Sequence, residues 1–84
     1  VSNKIAAIMK QMSKHVQVIS ITHLPQVAAK GDNHYKVYKE EIKKVTTTSL
    51  RLLTAEERIT EIAEMLSGKE ISETAITHAK ELLN

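Results

Sequence analysis

Eighty-four residues, with 12 Lys and Arg against 10 Asp and Glu, bound the chain to one small domain with a net charge of +2. That is too weak and too interspersed to form the electrostatic footprint of a nucleic-acid binder. No cysteine is present, which excludes disulfides, thiolate metal sites and cysteine nucleophiles, and with no Trp, no Phe and only Tyr35 and Tyr38 there is little on which single-stranded bases could stack.

The chain opens at Val1, without an initiator Met, on a helical pattern already under way. This reads as a fragment of something larger, and a chain of this length is marginally stable when it stands alone. Residues 2–14 place Ile5, Ile8, Met9 and Met12 at the i, i+3, i+4, i+7 spacing of one apolar helical face, with Ser2 as the expected N-cap. Residues 16–21 (Val-Gln-Val-Ile-Ser-Ile) are mostly β-branched and alternate poorly. They predict a strand covered on both faces. Pro25 suits the first turn of a short helix, and Gly31-Asp32-Asn33 is a turn signal that ends it.

Residues 34–40 and 45–53 carry strand-forming residues, with Thr46, Thr48, Leu50 and Leu52 on one face and Thr47, Ser49 and Arg51 on the other. The short Glu41-Ile42-Lys43-Lys44 between them predicts an antiparallel hairpin. Thr54-Ala55-Glu56-Glu57 is a capping box ahead of a stripe formed by Ile59, Ile62, Ala63 and Leu66, and Gly68 is the expected stop. Ser72 then caps a last helix that turns Ala75, Ala79, Leu82 and Leu83 inward.

The chemistry centres on His23, at the expected carboxyl end of the 16–21 strand. Ligands of parallel α/β sheets bind just beyond that end of a strand. An imidazole there can donate to a terminal phosphate oxygen, and such charge-assisted bonds are strong. The alternative is a strand-end histidine bonded to a neighbouring backbone group, which position alone favours. His15, His23, His34 and His78 lack the spacing of a metal site, so no metal is expected. Glu56, Glu57, Glu61 and Glu64 read as the solvated face of a helix rather than paired catalytic carboxylates. Gln26 either approaches nucleotide or caps structure. Leu66-Ser67-Gly68-Lys69-Glu70 resembles a Leu-Ser-Gly-Gly-Gln signature loop, but Lys69 replaces its second glycine and the segment follows the histidine, so a helix cap is expected instead.

Ile21-Thr22-His23-Leu24-Pro25-Gln26-Val27-Ala28 resembles the histidine switch loop of ABC-type ATPase heads, and more closely that of the RecN family of bacterial DNA repair and recombination proteins, relatives of the SMC proteins. His34-Tyr35-Lys36-Val37 with Lys39-Glu40, the stretch from Thr46 to Leu53, Ile62 to Gly68, and His78 to Leu83 resemble the family's later segments in order, so the likeness covers nearly the whole chain. It implies an α/β fold, the C-terminal part of a P-loop (ABC/SMC-like) ATPase head. That part would hold one central-sheet strand, a β-hairpin and about four helices. It would form a single partial domain, divided into helix, strand and switch loop (1–33), hairpin (34–53) and two closing helices (54–84).

The resemblance also implies a parent protein that binds ATP and Mg²⁺ between two heads of a homodimer, acts on DNA at double-strand breaks and is cytoplasmic and nucleoid-associated. His23 would be its γ-phosphate contact. The chain departs from a complete head in three ways. It has no Gly-x-x-x-x-Gly-Lys loop, its apolar run ends in Ser-Ile-Thr-His rather than Asp-Glu, and it has no signature loop. Alone it is expected to be inactive and prone to self-association. The rival reading is an independent small α/β protein-interaction module without catalysis. No apolar run approaches the roughly 18 residues that would span a bilayer, and no membrane partner is expected.

Overall fold

The computed structural model describes residues 2–84; Val1 and the side chain of Ser2 lie outside the described residues. Elements run in the order α1 (Ser2–Met12), α2 (Pro25–Lys30), β1 (Tyr35–Ile42), β2 (Val45–Leu52), α3 (Ala55–Ser67) and α4 (Glu73–Leu83). The centre is the helix pair α3 and α4, with α2 packed against both and α1 packed on α2. No helix among the described residues is long and apolar enough to cross a membrane.

Local chemistry explains most of these boundaries. Thr54 Oγ1 accepts from the Glu57 N–H at 3.2 Å, and the Glu57 carboxylate accepts from the Thr54 N–H at 3.0 Å, which completes the capping box of α3. Gly68 closes α3 at φ 82, ψ −165, a region open in practice only to glycine, and its N–H donates to the Glu64 carbonyl at 2.7 Å. Lys69 follows outside the helix, and the segment forms the helix cap that its sequence predicts. Ser72 caps α4 by accepting from the Ala75 N–H at 3.1 Å. Pro25 opens α2 as expected.

The core is small. Ala29 from α2, Ile62 and Ala63 from α3, and Ala75 and Ala79 from α4 are buried together. Ile59, Leu66, Leu82 and Leu83 pack around them half-buried, as the two predicted stripes require. Alanines at the facing positions allow the helices to approach closely, and Ile62 is the one large side chain among the described residues that is fully enclosed.

The hairpin pairs Tyr35 with Leu52 and Ile42 with Val45 in an unbroken antiparallel register. The predicted four-residue turn contracts to two residues, Lys43 and Lys44, both left-handed at φ 51 and φ 66. That is the twist of a type I′ connection, achieved here without glycine or asparagine. The hairpin stands off the helices. It is tied to them at its base by the Leu53 N–H donating to the His34 carbonyl at 2.9 Å, by Lys36 to Glu61 at 2.8 Å and by Arg51 to Glu57. A radius of gyration of 14.2 Å, against about 12 Å for a compact chain of this length, reflects that projection.

Three expectations meet a different structure. Residues 16–21 form no strand: the one sheet among the described residues contains only β1 and β2, and Ile19 and Ile21 are 83% and 101% exposed. A strand exists only if a neighbour takes its N–H and C=O groups. Neither outer edge of the hairpin pairs with this segment, so its backbone finds no ladder to join. The expected N-cap Ser2 is instead the first helical residue, and the predicted apolar face of α1 is mostly open, with Ile5 48%, Ile8 60% and Met12 50% exposed while Ala6 makes the buried contact. The spacing marked a face suited to burial, but this chain supplies nothing large enough to cover it.

Candidate functional site

His23 sits in a turn clipped at both ends. The Leu24 N–H donates to Thr22 Oγ1 at 3.0 Å, and the Leu24 carbonyl accepts from the N–H groups of Val27 at 3.1 Å and Ala28 at 3.0 Å. Leu24 is extended (φ −97, ψ 119), as a residue before proline must be, which turns the chain from the 16–22 segment into α2. Val27 and Ala29 then anchor α2 by burial. The backbone at His23 is thus fixed on its C-terminal side by hydrogen bonds and by an anchored helix.

The side chain points outward. His23 is exposed, and its imidazole makes no hydrogen bond to another described residue. The strand-end contact with neighbouring backbone, favoured by position alone, is therefore not formed, and the segment expected to be a strand ending on His23 is unpaired chain without regular secondary structure. Gln26 is half-buried in α2. Two open depressions mark the surface, one along α4 by His78 and one where Lys10, Asp32 and Arg58 meet the end of α4; His23 lines neither. His15 and His78 are exposed, His34 is half-buried at the base of β1, and no group of three His, Asp or Glu among the described residues is arranged to hold a metal ion.

Two residues to which sequence reasoning gave no role of their own, Arg58 and His34, carry the buried polar atoms left without a partner among the described residues. Arg58, half-buried on α3, reaches across to the far end of α2. Its Nη2 donates to the carbonyls of Gly31 at 2.9 Å, Ala28 at 3.1 Å and Ala29 at 3.4 Å. Burial holds its pKa below the ordinary guanidinium value, with Asp32 acting the other way. Asp32 itself pairs with Lys10, which holds its carboxyl below the usual range and ties α1 to the end of α2. The only cue to Arg58 in the sequence was a cation among the glutamates of α3, which reads equally well as solvated surface.

His34 is the second. Its Nδ1 is buried without a hydrogen-bond partner. Burial lowers its pKa, Arg58 of α3 and Lys36 of β1 push it further down, and Glu61 of α3 pulls it up. The folded chain therefore resists a proton that the unfolded chain accepts near pH 6.5. Below that value the unfolded state holds more protons, so stability falls as pH drops. Urea unfolding between pH 7 and pH 5 is expected to show this loss, and His34→Gln to flatten it; an unchanged slope in the variant would assign the loss elsewhere. Asp32 and Glu57, whose pKa values are lowered, contribute in the same direction only in the carboxylate range, at lower pH.

No family model matches the chain. Among curated proteins it is similar to the DNA repair protein RecN of Rickettsia felis, 44% identical over 84 residues, which is 100% of this chain and 15% of that protein. It is 48% identical over 80 residues to the DNA repair protein RecN of Deinococcus radiodurans, covering 92% of the chain and 14% of the relative. To that of Halalkalibacterium halodurans it is 42% identical over 88 residues, 100% of the chain and 16% of the relative. The chain spans about 15% of the length of the curated relatives it matches. Relatives from bacteria this different match the chain over nearly all or all of its length, and over that span the chain belongs to the RecN family.

Proposed function

We propose that this chain is the C-terminal part of a RecN-like ATPase head in a protein of DNA double-strand-break repair and recombination, and that it contributes His23 to a composite ATP site. The carrying observation is an exposed imidazole with no internal partner, on a turn held by hydrogen bonds and an anchored helix, in a chain similar throughout to DNA repair proteins. An imidazole in that state is free to donate to an anionic oxygen brought to it. In this role His23 binds the γ-phosphate of ATP and meets the charge that grows on it as the phosphoryl group transfers.

The other parts of such a site belong to the rest of the parent protein. This chain has no glycine-rich phosphate loop, and its described residues contain no cluster fitted to Mg²⁺. Its share is to place one donor. The remainder of the head would cover Ile19, Ile21 and the open face of α1; a second head would complete the site, and DNA would be bound by the parent. Alone, the chain would not release phosphate, and its exposed apolar segments would favour self-association.

A γ-phosphate contact distinguishes ATP from ADP. In the full-length protein, His23→Ala is expected to weaken ATP binding about tenfold, the scale of one charge-assisted hydrogen bond, and to leave ADP binding unchanged. Calorimetric titration with a slowly hydrolysed ATP analogue and with ADP reads this directly. Equal weakening for both nucleotides would contradict the assignment.

A further inference from the structure

At the end of α2 opposite His23, four backbone carbonyls converge on one side chain. Arg58 takes those of Ala28, Ala29 and Gly31 through Nη2, and its Nη1 donates to the Asp32 carbonyl at 3.5 Å. Ala28 and Ala29 lie in the last turn of α2, where carbonyls have no partner within the helix. The usual remedy is a left-handed residue just past the end, but Gly31 is extended at φ −66, ψ 146, so no such cap forms. The guanidinium takes its place, and its charge also meets the negative end of the helix dipole.

The consequence reaches His23 through the shortness of α2. Six residues are too few to be stable as an isolated helix. What holds α2 in place is the burial of Val27 and Ala29, the clip at Leu24 and the grip of Arg58. Because Leu24 accepts from both Val27 and Ala28, and Thr22 accepts from Leu24, residues 22–28 form one hydrogen-bonded unit. A movement at its far end is passed to its near end. Arg58 is itself fixed on α3, the helix that carries Ile62 into the core.

We infer that Arg58 is a positioning residue for His23: by holding the carbonyl end of α2 against α3 it sets where the His23 turn stands relative to the γ-phosphate. This rests on the γ-phosphate reading above. Arginine suits the task because its planar fork presents several donors at fixed angles, whereas a lysine ammonium is one compact group on a flexible stem. A misplacement of about 1 Å is enough to cost on the order of a hundredfold in rate.

The test is a double-mutant cycle on ATP turnover by the full-length protein, using Arg58→Met, Arg58→Lys, His23→Ala and the His23→Ala/Arg58→Met pair. Arg58→Met is expected to lower kcat about tenfold or more and to raise KM for ATP by no more than the roughly tenfold binding loss of His23→Ala, with Arg58→Lys recovering part of both. In the His23→Ala background, Arg58→Met is expected to change kcat by less than about twofold, because the group it positions is gone. If Arg58→Met costs the same factor in both backgrounds, Arg58 acts independently of His23 and the inference is overturned; normal turnover in Arg58→Met overturns it as well. If His23→Ala alone turns over normally, it is the γ-phosphate reading that fails, so the two failures are distinguishable. Should Arg58→Met not fold, the same cycle is run with Arg58→Lys, with a smaller coupled loss expected and equal factors in both backgrounds again overturning the inference.

Discussion

A full-length protein carrying His23→Ala is expected to hydrolyse ATP about a hundredfold more slowly while melting at an unchanged temperature. The magnitude follows from the role. Removing one preorganised donor from a transition state that gathers negative charge typically costs on the order of 10²–10³ in kcat. The unchanged melting temperature follows from the structure: His23 is exposed and its imidazole is bonded to no described residue, so truncation leaves no cavity and no orphaned partner. His23→Gln, which keeps an N–H donor without the option of a positive charge, should fall between the two. Steady-state turnover with a parallel thermal melt separates this outcome from a general loss of structure, and near-normal turnover in His23→Ala would return the residue to ordinary surface.

The largest effect on stability is expected at Ile62. It is 0% exposed, and the other buried members of its core, Ala29, Ala63, Ala75 and Ala79, are too small to refill a space left behind. Ile62→Ala should therefore cost about 3 kcal/mol, through lost transfer energy and an unfilled cavity. For a chain of this size that corresponds to a melting temperature lower by roughly 12–24 °C. Ile21→Ala provides the control. Ile21 is 101% exposed, so the same chemical change in the isolated chain should stay within about 0.5 kcal/mol. In the full-length protein, where the proposed head would cover Ile21, its cost should rise toward that of Ile62. A small effect at Ile62 would mean that the α3–α4 core is not what holds the chain together.

Local signals were the most legible in the sequence. The capping box at Thr54 and Glu57, the Ser72 cap, the Gly68 stop and Pro25 at the start of α2 each depend on a few neighbouring residues, and each is found where the residue types place it. The hairpin was legible in its strands but not in its turn. Lys43-Lys44 carries neither glycine nor asparagine, so nothing in it announced two left-handed residues. The α3 and α4 stripes were read correctly because they cover each other. The stripe on α1 was read as an apolar face and the run at 16–21 as a strand covered on both faces, yet both lie mostly open, because periodicity reports a need for burial and not which chain meets it. Arg58 was not legible: its carbonyl partners lie 26–30 residues earlier and are backbone groups, which no side-chain pattern records.

The candidate site divides the same way. The residue types around His23 and the family likeness singled out the histidine, and the structure shows how its backbone is held. What the imidazole touches depends on groups this chain does not carry. The most direct measurement is a structure of the full-length protein with Mg²⁺ and a non-hydrolysable ATP analogue. The account predicts a nitrogen of His23 at hydrogen-bond distance, about 2.7–3.2 Å, from a γ-phosphate oxygen, with Arg58 still gripping the end of α2. A His23 ring turned to solvent, or bonded to protein backbone while the γ-phosphate is held entirely by other groups, would contradict it.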